Sequence, residues 1–415
     1  MRDGVAEPPA TVTNAKTNPA GRVILHVGAP KTGTTYLQNV LWHNRVALAE
    51  DGVRYPLHQP FEHFGATMDI REMRWNGMRN PDWDGAWERL ASRARTWSGT
   101  TSIISNEILG GANVEQIKRA VDSLRPAEVS VVFTARDIAR QLPAGWQEHL
   151  KHRLRVPFEK FVDDLIELGR DTPAPFGEMF WSLHHAVEVL ARWEEAVPRE
   201  NIHVVTVPRP GAPKDLLWNR FAQVLGIDGR RYDTEVERAN PSIGVAQAEL
   251  LRRVNVALED EVPRQHSDPL IRVLLGENIL VRASENAPKL KLPAPRLAWA
   301  TEWSQELIDG LCKAEYNVVG DLAELMPVPE ETPPLRPEDA SAEELLDPAI
   351  ASITGLLGQL GRERDEVAKL RGALEKPFKT WLDRKHPRVA NCGRRVLYHG
   401  RRAADFGRRH GRTPR

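Results

Sequence analysis

The stretch RVILHVGAPKTGTTYLQNVL, residues 22–41, limits the fold more tightly than any other part of this chain. RVILHV (22–27) is a short, β-branched apolar run that ends on Gly28, the pattern of a buried strand. After the turn, Leu37, Val40 and Leu41 recur at helical spacing and share one face. Gly28 and Gly33 bracket the turn between them. A strand feeding a glycine-rich turn and then a helix points backbone N–H groups and the positive end of the helix dipole at one spot. Such a spot holds a tetrahedral anion.

Three more apolar runs read as strands: TTSIISNE (100–107), EVSVVFTAR (128–136) and NIHVVTV (201–207). Helical patterns such as NVEQIKRAVDSL and FEKFVDDLIEL lie between them. Alternation of this kind predicts a parallel β-sheet flanked by helices, an α/β fold. Right-handed crossovers then gather the C-terminal strand ends on one edge, where ligands bind. Trp83, Trp87 and Leu90 fall at i, i+4 and i+7 and are expected on the core face of one helix. From about residue 243 the chain reads as helical, through GVAQAELLRRVNVAL, DPLIRVLLGENIL and SQELIDGLCKAEYNVVGDLAELM.

The chain has 415 residues, enough for one large domain or two ordinary ones. The expected organisation is a leader without structure (1–20), a main domain (21–326), a Pro/Glu linker (327–341), a helix (342–375) and a basic tail (376–415). In the helix, Ile353, Leu357, Leu360, Val367 and Leu374 approximate a heptad seam that Arg364 interrupts. A weak coiled coil, and oligomerisation through 342–375, follow from that pattern. Net charge is zero, 57 basic residues against 57 acidic, yet the tail carries 13 Lys/Arg and 2 Asp/Glu. Its arginine pairs, interleaved with Trp381, Tyr398 and Phe406, suit an anionic membrane surface or an acidic partner. A solvated tail is the simpler expectation, and nucleic acid is not an expected partner.

The two cysteines, Cys312 and Cys392, form no framework and no zinc spacing, which suits a reducing compartment. The N-terminus has no apolar core of a signal peptide, and no run of 18 apolar residues occurs. A cytoplasmic protein is expected. His149 and His152 would form an i, i+3 pair on a helix, but no third ligand accompanies them, so no metal site is expected.

The loop chemistry turns on Lys31. A Walker loop reads G-x-x-x-x-G-K-[ST]. Here Gly28 and Gly33 keep the glycine spacing, but Thr34 follows Gly33 and the lysine lies inside the turn after Pro30. APKTGTTYLQ resembles the 5′-phosphosulfate loop of the sulfotransferases that use 3′-phosphoadenosine 5′-phosphosulfate, with its P-K-x-G-T-T core. That resemblance covers roughly residues 21–326 and implies a P-loop NTPase-like sheet with a C-terminal helical extension. It also implies a bacterial, carbohydrate-sulfotransferase-like enzyme that needs no metal. Lys31 would then stabilise the departing phosphate, and Gly28, Pro30 and the stretch Thr32, Gly33, Thr34 and Thr35 would hold the 5′-phosphate.

In the same family an arginine ends a later strand, and a serine eight residues on joins it at the 3′-phosphate. Arg136 matches the arginine, but the position eight on is Ala144, a departure that Arg140 could partly offset. A glutamate after an earlier strand serves as base in the carbohydrate-type enzymes, which implies Glu107. His63, in the loop FEHFGATMD, competes for that role. The segments IHVVTVPRPGAPKDLLWNRF and RANPSIG (238–244) also look family-like, the latter bringing Asn240 and Ser242 towards the nucleotide. The acceptor would be a carbohydrate, a glycolipid or a small molecule. Two other readings stay open: a P-loop kinase using ATP and magnesium, and a nucleotide-binding scaffold without catalysis whose helix and tail do the work.

Overall fold

The computed structural model describes residues 21–385, apart from 76, 78, 174–175, 237–241, 260 and 329–334. The expected leader, most of the basic tail and Asn240 therefore lie outside the described residues. The chain divides into two compact units, Met1–Ala349 and Ile350–Arg415.

The first unit is built on a six-stranded, all-parallel sheet: β1 (Arg22–His26), β2 (Val53–Arg54), β3 (Thr101–Ser105), β4 (Glu128–Ala135), β5 (Ile202–Thr206) and β6 (Asn317–Val319). Its strand order is β2-β3-β1-β4-β5-β6. β1 pairs in parallel with β3 on one side and with β4 on the other. The order thus reverses direction at β1, and the crevice at such a switch point is where open α/β sheets bind ligands.

Alternate residues of each central strand serve opposite faces of the sheet. Val23 and Leu25 of β1 join Val131 and Phe133 of β4 in one core. Ile24 and Val132 face the other, against Leu37, Val40 and Leu41 of the helix α1 (Thr34–His43) and against Trp218 and Phe221. A third core, mostly helical, gathers Leu142, Trp146 and Leu150 with Phe158, Phe161, Leu251, Ile271 and Ala300, and takes in the loop residues Ile243, Leu290 and Leu292. Leu142, Trp146 and Leu150 belong to the helix α2 (Ile138–Lys151), which leaves the C-terminal end of β4 and forms one wall of the crevice.

Four strands match the apolar runs read from sequence. The two outermost differ. β2 is two residues long, too short to carry an alternation signal. β6 lies within a segment expected to be one helix. That helix runs only from Leu297 to Ala314, and Glu315 turns it off in the left-handed conformation (φ 55°). Asn317–Val319 then pairs with His203–Val205 of β5, so an unfilled sheet edge takes the β-branched Val318 and Val319. The expectation for Trp83 also needs correction. Gly85 (φ 71°) separates it from the helix Ala86–Arg95, so Trp87 and Leu90 are buried in the core while Trp83 sits in a preceding 3-10 turn. The apolar run from Asp268 to Leu280 is a helix, wound as a π-helix.

In the second unit the helix α3 (Ala342–Lys385), which starts in the first, continues ten residues past the expected start of the tail.

Candidate active site

The crevice at the C-terminal ends of β1, β3 and β4 holds about 1990 Å³ and is lined by Lys31, Gly33, Thr34, Thr35, Glu107, Arg136, Arg140 and Ala144, among others. Residues more than a hundred positions apart therefore meet at one opening.

The turn after β1 is tight, and Gly28 (φ 140°) is joined by two further residues of positive φ. Lys31 has φ 62° and Gly33 has φ 87°. Gly33 is the N-cap of α1, and no side chain caps that helix end. Its first-turn N–H groups have no i−4 partner within the helix, so an anion is the natural cap. A Cβ on Gly33 would come within 2.6 Å of Leu217 Cδ2, so sterics as well as φ favour glycine.

The threonines of the turn divide their duties. Thr32 is fully buried, and its hydroxyl lies 2.5 Å from both Ala29 O and Thr134 Oγ1. Thr134, on β4, donates in turn to Gly28 O at 2.7 Å. Those contacts stitch the turn to the neighbouring strand, and the Thr32 hydroxyl is engaged inside it. Thr34 and Thr35, in the first turn of α1, line the crevice.

Arg136 leaves the end of β4 and donates from Nη1 to Lys31 O at 2.8 Å. Its Nε is buried and has no hydrogen-bond partner among the described residues. Burial, with Arg140 nearby, lowers the guanidinium to about 10, so it stays charged at neutral pH. Arg140 is tied to its own helix cap. Its Nε donates to Asp137 Oδ2, its Nη1 donates to Pro208 O at 3.2 Å, and its Nη2 is buried without a partner among the described residues. Ala144 lines the crevice one turn further along α2 and brings no hydroxyl.

Lys31 does not stand alone. Its Nζ donates to Glu148 Oε2 at 2.5 Å. The same carboxylate oxygen lies 3.2 Å from Lys151 Nζ, and Lys151 is 3.8 Å from Glu277 Oε1. Glu277 pairs with Arg272, which also grips Asp268. Burial alone would push the Glu148 carboxyl up, but Lys31, His152 and Lys151 outweigh it and hold Glu148 well below the usual carboxylate range. Lys151, nearly buried, is lowered by burial. Sequence reasoning missed Glu148 and Lys151. The signal was present in the helix face: 141, 144, 148 and 151 recur at i, i+3, i+7 and i+10, opposite the core face of Leu142, Trp146 and Leu150.

The two candidate bases are separated by burial. Glu107 follows β3, lines the crevice, and accepts from Gln38 Nε2 of α1 at 3.4 Å. His63 lies in a helix (Glu62–Ile70), not a loop, and is 3% exposed. Its Nδ1 accepts from the backbone N–H of Ser105 at 3.2 Å, and its ring meets Tyr55 edge-on at 4.9 Å. Burial lowers it to about 3, and it does not line the crevice. Ser242 does line it. His149 is lowered to about 3 by burial, whereas His152 lies 3.6 Å from Glu148.

No family model matches the chain, and no curated protein matches it. Among solved structures, a sulfotransferase from Alicyclobacillus acidocaldarius is similar at 17% identity and a TM-score of 0.36. The match spans 57% of this chain and 94% of that one. Likeness this distant says nothing about chemistry, which has to be argued from the crevice itself. No described helix is long and apolar enough to cross a membrane.

Proposed function

We propose that the chain moves a sulfuryl group from 3′-phosphoadenosine 5′-phosphosulfate to a hydroxyl or amine of a carbohydrate, glycolipid or small-molecule acceptor. One observation carries the reading. The lysine inside the loop and the arginine at the next strand end are joined through the Lys31 carbonyl, so two cations face one crevice beside an uncapped helix N-terminus.

The residues suit that donor. The first turn of α1, with the Thr34 and Thr35 hydroxyls, is a cradle for a 5′-phosphate. Arg136, with a buried Nε that lacks a partner among the described residues, is a ligand for the 3′-phosphate, and Arg140 lies beside it. The acceptor oxygen forms its bond to sulfur while the bond from sulfur to the 5′-phosphate oxygen breaks. The electron pair leaves with that oxygen, where the Lys31 ammonium balances the new charge. The acceptor proton passes to the Glu107 carboxylate.

A second reading keeps one observation in its favour. Glu107 follows β3, the strand beside β1, where a carboxylate can hold magnesium in an ATP-dependent kinase. Thermal shift with adenosine 3′,5′-bisphosphate against ATP plus magnesium separates the two. Selective stabilisation by the bisphosphate supports sulfuryl transfer, and preference for ATP with magnesium supports the kinase. Stabilisation by neither supports a scaffold without catalysis. Transfer of labelled sulfate to candidate acceptors, lost in Lys31→Ala, tests turnover. Transfer that survives this substitution rejects the role given to Lys31.

A further inference from the structure

Along α3, large apolar side chains stand open to solvent: Ile353 is 59% exposed, Leu357 63% and Leu370 57%. Leu356, Leu360 and Val367 are exposed as well. All but Leu357, which falls on the flank at e, repeat by seven. Ile353, Leu360, Val367 and Leu374 occupy one heptad position, a, and Leu356, Glu363 and Leu370 occupy the position three residues on, d. The glycines of this stretch, Gly355, Gly358, Gly361 and Gly372, fall at b, c and f, on the side away from the stripe. Glycine weakens a lone helix, so a helix carrying four of them gains most from a partner laid along its apolar stripe.

We propose that this stripe is the seam of a parallel two-stranded coiled coil with a second copy of the chain. The seam composition is that of a dimer, with Ile, Leu and Val at a and Leu at two of the three d layers. The flanking charges choose the occupant and its direction. In a parallel pair, g of one helix faces e of the other five residues on. Glu366 then meets Arg371 of the second copy, and Gln359 meets Arg364. In an antiparallel pair that keeps the same heptads overlapped, Arg364 meets its own counterpart. The parallel homodimer therefore pairs opposite charges where the antiparallel one stacks like charges.

Arg364, which interrupts a seam drawn through 353, 357, 360, 367 and 374, is an e residue in this register and belongs on the flank. The imperfect layer is instead d at Glu363, which in one helix accepts from Gln359 Nε2 at 3.0 Å. In the dimer two Glu363 carboxylates approach each other. That layer weakens association and admits only registers that keep it at the edge of contact with solvent.

Sedimentation equilibrium on the full chain reads the proposal directly. The expected mass at micromolar concentration is twice that of the 46.7 kDa chain. Leu360→Lys with Val367→Lys, both on exposed positions, gives a monomer of unchanged thermal stability in its first unit. Glu363→Leu tightens the dimer by about tenfold or more, because it replaces facing charges with apolar contact. Arg371→Glu loosens it, and Arg371→Glu combined with Glu366→Arg restores it. A monomer at tens of micromolar, a dimer untouched by the double lysine variant, or no tightening by Glu363→Leu overturns the seam. A charge swap that fails to restore association overturns the parallel direction.

Discussion

Glu148 is the most informative residue to change. It touches Lys31, the loop cation, at 2.5 Å and Lys151 at 3.2 Å through the same oxygen. Glu148→Gln keeps the shape and removes the charge. Two effects of opposite sign follow. A hydrogen bond between charged groups contributes about 1.5–3 kcal/mol. At about 2–4 °C per kcal/mol for a domain of this order of size, its loss lowers Tm by several degrees. Binding moves the other way. A phosphate oxygen that takes another Lys31 proton would lie about 5 Å from the carboxylate, and at an effective dielectric of 20 that repulsion is about 3 kcal/mol. Solvent and salt screen part of it at this partly exposed pair, leaving about 1.4 kcal/mol, or a tenfold gain in affinity.

Isothermal titration with adenosine 3′,5′-bisphosphate should therefore show tighter binding in a less stable protein. The stability difference should also depend on pH. Glu148 is depressed in the folded state, so its contribution is full above the ordinary glutamate value of 4.5 and is lost as pH falls through the lowered one. Wild type and variant should converge in acid. Unchanged or weaker bisphosphate binding, with Lys31→Met additive to Glu148→Gln rather than coupled to it, would refute the idea that Glu148 competes with the anion for Lys31.

Gly33→Ala should destabilise by about 1–2 kcal/mol, since it forces a Cβ into a left-handed turn and towards Leu217, and Tm should register it. Glu107→Gln should slow sulfate transfer by about 10²–10⁴-fold while leaving bisphosphate affinity unchanged, as expected of a base that does not hold the donor. Arg136→Lys should weaken the bisphosphate about tenfold or more, because an ammonium cannot keep the Lys31 carbonyl and also offer the planar guanidinium donors. Burial lowers His26, His63 and His149 to about 3 and His184 to about 4. The unfolded chain takes up protons near 6.5 that the folded one refuses, so Tm should fall as pH drops below about 6.5. A flat profile from pH 7.5 to 5 would contradict the buried, neutral state of these rings.

Much of the frame could be read from local pattern. β1, β3, β4 and β5 are apolar runs with turn residues at their ends, and the turn from Gly28 to Gly33 announces itself through glycine spacing. Arg136 and Glu107 follow from standing just past strand ends, since a parallel sheet brings those ends to one edge. The misreadings have physical causes too. β6 was hidden because three residues carry almost no periodicity, and only the free edge of β5 makes them a strand. His63 looked available because sequence does not report burial, and the packing that buries the helix carrying it is set by tertiary contacts. Thr32 looked equivalent to Thr34 and Thr35 until Thr134, on another strand, drew its hydroxyl inward.

Lys31 marks the boundary between the two kinds of knowledge. Its place inside the loop is a matter of chain order, and so are the strand before it and the helix after it, because backbone propensity and glycine freedom act over a few residues. Its ion pair is not. Glu148 lies 117 positions away, and only the packing of α2 against the strand ends brings its carboxylate to the lysine. A charge network of Lys31, Glu148, Lys151, Glu277 and Arg272 forms from three separate segments. Electrostatics acts through space, so which cation is free and which is held was decided by the tertiary structure alone.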